Sequence, residues 1–129
     1  MHRLPLGSIK KKKMEYSINE HFKKNEPIVR EIYDRIISEC QKFGTVIQSP
    51  KKSSIHLDNK SGFAGVYTRK NYILLKIHTN FEIDSERIQK IEIISANRFK
   101  HTIKLESLNE VDSELINWLK SAYDIKNTT

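Results

Sequence analysis

The chain contains a single cysteine, Cys40, among its 129 residues. That excludes an internal disulfide framework and fits a reducing, cytoplasmic setting. No apolar run approaches the roughly 20 residues that cross a bilayer, so no membrane-spanning segment is expected. No apolar stretch follows the basic N-terminus, so a secretory signal is not expected either. Also missing are a Cys-x-x-Cys pair, a Gly-x-Ser-x-Gly elbow and a glycine-rich loop feeding a helix. With them go the common sequence signs of a zinc site, an activated serine and a phosphate loop. The five histidines are His2, His21, His56, His78 and His101, and none pairs with another at the i, i+4 spacing of a helical metal site. A metal would need ligands from several strands, with His56 and His78 the pair nearest to supplying them. No metal and no cofactor is expected.

What the chain does have is an ordinary globular composition, 37% hydrophobic and 30% charged, enough for one domain with a modest core. Lysine and arginine outnumber the acids by 23 to 16. Five of those 23 basic residues, Arg3 and Lys10 to Lys13, fall in residues 1–14, where there is no acid. The rest holds 18 basic against 16 acidic side chains and is close to neutral. Residues 1–14 therefore read as a disordered basic arm or an upstream extension, and residues 15–129 as a single domain. Any strong attraction to phosphate is expected to come mainly from the arm.

Ser17 precedes Glu20 by the spacing of a capping box and predicts a turn or two of helix. Pro27 then suits a first helical turn, and Val29, Ile32, Tyr33, Ile36, Ile37, Cys40 and Phe43 recur at three- and four-residue spacings. Gly44 stands where a left-handed helix cap belongs. Cys40 lies on the apolar stripe, so it reads as a core residue and not as a nucleophile. After it come short strand-like runs, "TVIQS", "SSIHLD", "GFAGVYTR", "YILLKIHT", a weaker "RIQKIEIIS" and "FKHTIKL", separated by turn-like "PKK", "NKSG" and "KN". Links this short favour hairpins, because a parallel crossover usually needs a dozen or more residues. Ser107 and Glu110 then open a closing helix whose Val111, Leu115, Trp118, Leu119 and Ala122 share a face, with Trp118 expected deep against the sheet. The predicted fold is α+β: a helix, an antiparallel meander of about five strands and a C-terminal helix, with both helices on one sheet face.

Six residues stand out as candidate binding groups: His21, Lys51, Arg69, Arg98, His101 and Tyr123. Lys52, Lys70, Lys100 and Tyr67 accompany them. Basic residues at strand ends can form an anion-binding rim, or simply solvate and protect the sheet edges. His101 alternates with Phe99, Ile103 and Leu105 on a strand, so it is either a hydrogen-bonded core residue or part of a site, with Asp112, Tyr123 and Arg69 its expected neighbours. Gly65 permits close approach to the backbone, by a helix side chain or by a ligand.

An ordered series of residues carries a family resemblance. It runs His21-Phe22, Pro27, Val29-Arg30, Tyr33, Phe43-Gly44, Pro50-Lys51, Phe63-Ala64-Gly65-Val66, Arg69, His101, Asp112, Trp118-Leu119 and Ala122-Tyr123. In this the chain, over residues 20–124, resembles a bacterial family known as domain of unknown function 5655. It departs from that pattern at Lys24, Asn25 and Glu26, where members carry Gly-Lys-Pro. The resemblance implies a small cytoplasmic domain, found alone or appended to others, with no established activity. In architecture alone the plan also resembles frataxin-like domains, but the first helix mixes Glu26, Glu31, Asp34 and Glu39 with Arg30, Arg35 and Lys42, which disfavours iron loading. The leading functional reading is a non-enzymatic binding or accessory domain for an anionic ligand, either nucleic acid or a phosphorylated small molecule. Two alternatives stand beside it. One is an enzyme or enzyme subunit using His21, Arg69 and His101; the other is a homodimeric interaction module.

Overall fold

A computed structural model describes residues 16–128. The arm expected over residues 1–14 lies outside the described residues. The Ser17 hydroxyl accepts the Glu20 N–H at 3.2 Å, but it opens a 3-10 turn, Asn19–Phe22, and not an α-helix. Helix α1 (Pro27–Cys40) begins at the proline, whose missing N–H sits where no intrahelical bond would form. Its predicted stripe, Val29, Ile32, Tyr33, Ile36, Ile37 and Cys40, is buried. Burial, with a smaller push from Glu39, raises the Cys40 thiol to about 12, which keeps it protonated and inert. Burial likewise holds the Tyr33 phenol neutral, and it donates to Gln48 Oε1 at 2.6 Å.

Six strands follow: β1 (Ile47–Pro50), β2 (Ile55–Asp58), β3 (Gly62–Thr68), β4 (Ile73–Thr79), β5 (Ile88–Ser95) and β6 (Arg98–Leu105). Helix α2 (Ser113–Thr128) closes the chain. The strands form one sheet in the order β1-β2-β3-β4-β6-β5, every neighbouring pair antiparallel. Both helices cover one face, α2 over β3 and β4, and α1 against α2 and β4. Alternation is cleanest on β4, where Ile73, Leu75, Ile77 and Thr79 are buried and Leu74, Lys76 and His78 are not. Among the described residues, no helix is long and apolar enough to cross a membrane.

The fold corrects the sequence reading in its topology, at Trp118 and at Gly44. Among the described residues the sheet has six strands where about five were expected, and it is not a pure meander. After β4 the chain crosses β6 before entering β5, so β4 and β5 run parallel with β6 between them. Strands two places apart are separated by only about 10 Å, and the chain returns just four residues along β6, from the level of Phe99 beside Thr79 to that of Ile103 beside Ile88, so the eight residues from Asn80 to Arg87 make the passage without a helix. The passage lies on the helix-covered side: Ile83 is buried, and Arg87 reaches the start of α2.

Arg87 Nη1 donates to Asp112 Oδ1 at 2.9 Å and to Glu114 Oε1 at 3.0 Å, while Nη2 donates to the Glu110 carbonyl at 2.7 Å. The second correction follows from this contact. Trp118 is only partly buried, because its ring lies 5.7 Å from the Arg87 guanidinium and roofs that ion cluster. Leu115, Leu119, Ala122 and Tyr123 fill the core below α2 in its place. The Ser107–Glu110 pair closes a 3-10 turn, Leu108–Glu110, with the Glu110 carboxylate accepting the Ser107 N–H at 3.0 Å. Asp112 caps α2 proper, its Oδ1 accepting the Leu115 N–H at 3.0 Å.

Gly44 lies beyond the end of α1 and is not its cap. It has φ +149°, and a Cβ there would stand 2.5 Å from the Tyr123 hydroxyl. That hydroxyl donates to the Thr45 carbonyl at 3.0 Å. Gly44→Ala is therefore expected to cost on the order of 1–3 kcal/mol, from backbone strain and the clash together. In a Tyr123→Phe background part of that cost should vanish, an interaction that urea denaturation of the double-mutant cycle would measure.

Candidate functional site

The candidate residues fall in four places. His101 is at the centre of β6 and fully buried, with Ile103 and Leu105 on the same face as expected. Its Nε2 accepts the backbone N–H of Ile83 at 3.0 Å. Because that partner can only donate, the ring proton sits on Nδ1, which faces the Ile77 carbonyl at 3.4 Å. Its polar partners are thus the crossover and β4, not Asp112 or Tyr123. Burial pushes the imidazole pKa below its ordinary value, although the Ile77 carbonyl and Glu82 pull the other way.

His21, Lys51 and Arg69 come together at the end of the sheet that carries the β1–β2 and β3–β4 turns. His21 Nε2 bonds the Lys51 carbonyl at 2.8 Å, and the His21 carbonyl accepts the Thr68 hydroxyl at 2.9 Å. Arg69 is exposed and donates to the Thr68 carbonyl at 3.0 Å. A shallow depression of ≈ 70 Å³ beside them is lined by Tyr16, Glu20, His21 and Lys52. Arg98 starts β6 at the opposite end, where Thr79 pairs with Phe99, and its Nη1 is enclosed with no hydrogen-bond partner among the described residues. Tyr123 is buried, edge-on to Phe63 and Phe43. His21, Arg69 and His101 therefore do not converge on one cavity.

A second concavity is on the helix-free face. Register places His56 beside Gly65, Gly65 beside Lys76, and His78 beside Lys100. Together with Gly62, Ala64 and Tyr67 these residues line a cavity of ≈ 180 Å³. Gly65 forms its floor, and no helix packs there: a Cβ would meet the Tyr67 ring at 3.3 Å. The Lys76 ammonium lies 4.6 Å from the centroid of that ring, and Lys104 stands in the same relation to Tyr72 at 4.5 Å. Lys100 is balanced in part by Glu92 at 3.9 Å. Thr102, next to Lys76 in the register, is 6% exposed, and its hydroxyl has no partner among the described residues. His56 and His78 both reach this cavity, but no group of three or more His, Cys, Asp or Glu side chains among the described residues could hold a metal ion. Two ammonium groups, two imidazoles and a ring can hold a phosphoryl group beside a planar one.

Of this set the sequence reading had singled out Gly65, Tyr67, Lys100 and the His56–His78 pair, and had missed Lys76 and Lys104. Their signal was alternation: each is a polar position between buried residues of β4 or β6.

The profile of the family described as Domain of unknown function (DUF5655) matches residues 18–126. The chain belongs to that family. No curated protein and no solved structure matches it. Within this family member the resemblance residues His101 and Asp112 both serve the crossover, one at its middle and the other at its end.

His101 yields a pH prediction. With its pKa lowered in the fold, the unfolded chain takes up the proton first as pH falls below about 6.5. Its contribution is therefore complete at neutral pH and is lost as pH drops through 6.5 toward the lowered value. His101→Leu should cost on the order of 1–3 kcal/mol at pH 7.5 by orphaning the Ile83 N–H. The gap between wild type and variant should narrow by pH 5; a constant gap in guanidinium titrations would contradict this role.

Proposed function

We propose that this domain is a non-enzymatic binding module whose helix-free sheet face takes a phosphate-bearing ligand, with single-stranded nucleic acid the favoured form. The observation that carries the reading is the pairing of Lys76 with Tyr67 and of Lys104 with Tyr72, beside the cavity that Lys100, His56 and His78 help to line. Ammonium groups neutralise phosphates, and exposed rings offer stacking surfaces that tolerate any base. Two such ring–lysine pairs on one open face suit a chain of nucleotides better than a lone phosphate. The near-neutral count outside residues 1–14, 18 basic against 16 acidic, does not oppose this, because four lysines, Lys76, Lys90, Lys100 and Lys104, share this side of the sheet.

Fluorescence anisotropy of the full chain with a labelled single strand of about 12 nucleotides tests the reading. Lys76→Ala and Lys100→Ala should each weaken binding several-fold, lower the log–log salt slope by about one, and leave the melting temperature nearly unchanged. Binding unaffected by both substitutions would move the attraction away from this face. Equal affinity for a mononucleotide would make the ligand a phosphorylated small molecule.

A further inference from the structure

Among the described residues, strand β5 forms one margin of the sheet and pairs only with β6. It is eight residues long, lacks proline, and leaves Ile91 38%, Ile93 72% and Ile94 54% exposed. Edge strands are usually kept short, charged or covered, because their free N–H and C=O groups template pairing with another chain. Bulges interrupt the β5–β6 register at Ile88/Lys90 and at Ile93/Ser95, but from Lys90 to Ile93 it is unbroken. A short, regular, partly apolar edge therefore stands open.

We infer that this stretch pairs antiparallel with the same stretch of a second copy, about a two-fold axis at Ile91. Residues opposed across an antiparallel ladder share a face, so the axis must fall on a residue position. An axis at Lys90 sets lysine against lysine, and one at Glu92 sets glutamate against glutamate. An axis at Ile93 leaves Glu92 opposite Ile94. At Ile91, Lys90 of each copy meets Glu92 of the other, and the two Ile91 side chains meet at the centre. The strand is complementary to itself in that register.

The two sides of the joint differ in kind. Lys90 and Glu92 align with Thr102 and Lys100 of β6, on the helix-free side, where they already form an ion pair of 3.6 Å within the strand. Ile91 and Ile93 align with His101 and Phe99, on the helix-covered side. Pairing would thus join two ion pairs on one side to an isoleucine cluster on the other, each a favourable cross-strand contact. Being perpendicular to the sheet, the axis puts both helix-free faces on the same side. The inference stands independently of any ligand there.

Sedimentation of the full chain is the first test. Wild type should dimerise in the micromolar range. Lys90→Glu should weaken the dimer at least tenfold by opposing like charges, and Lys90→Glu with Glu92→Lys should restore it. Because the native thiol, Cys40, is buried, Ile91→Cys adds one reactive thiol at the axis and should give a disulfide-linked dimer under mild oxidation. Ile93→Cys, opposite Gln89, should not. A chain that stays monomeric to millimolar concentration, a dimer indifferent to the charge swaps, or cross-linking at Ile93→Cys in preference to Ile91→Cys would overturn the inference.

Discussion

The hydrogen bond from the Ile83 N–H to His101 settles how the far margin of the sheet is built. A chain crossing a strand on the covered side carries peptide groups away from water, and each needs a partner. The main chain of β6 cannot serve, because it is engaged by β4 on one side and β5 on the other. A side chain of β6 must do so, and a neutral imidazole has an acceptor on one nitrogen and a donor on the other. Arg87 fastens the end of the same passage by different means. Burial works against its charge, but the bonds to Asp112 and Glu114 outweigh that and raise its pKa. Burial would raise Asp112 in turn, yet the Leu115 N–H and Arg87 hold its carboxyl below the usual range. The crossover is thus held at its middle by a neutral group and at its end by charged ones.

The elements that were legible in the sequence are those with a buried face. The stripe of α1 and the alternation of β4 follow directly from which side chains leave water. Strand β5 carries no such signal, since both of its faces are largely exposed, and its isoleucines therefore looked irregular. Its place beside β6 was not legible, because the choice between a meander and a skipped strand rests on tertiary contacts around Ile83 and Arg87. Trp118 misled for a related reason: helical spacing defines a stripe but not how far the stripe reaches into the core. Its position at the stripe's edge left it for the guanidinium.

The helix-free face and its cavity were less legible than the fold. Its groups come from β2, β3, β4 and β6, and only the pairing register makes neighbours of His56, Lys76 and Lys100. Net charge concealed it as well, because a nearly balanced total says nothing about which side of a sheet the lysines occupy. His101 was placed correctly on a buried strand position, but its partner is a backbone amide of the least patterned segment in the chain.

The skipped strand also orders the assembly of the molecule. Strands β1 to β4 are joined by short turns, and β5 and β6 by the two residues between Ser95 and Arg98, so each group can form from local contacts. The seam between β4 and β6 can form only when the hairpin docks, and the imidazole finds the Ile83 amide only then. Until that moment β4 shows an unpaired edge that any copy of the hairpin fits. Refolding at high concentration thus sets intramolecular docking in competition with hairpin exchange between chains.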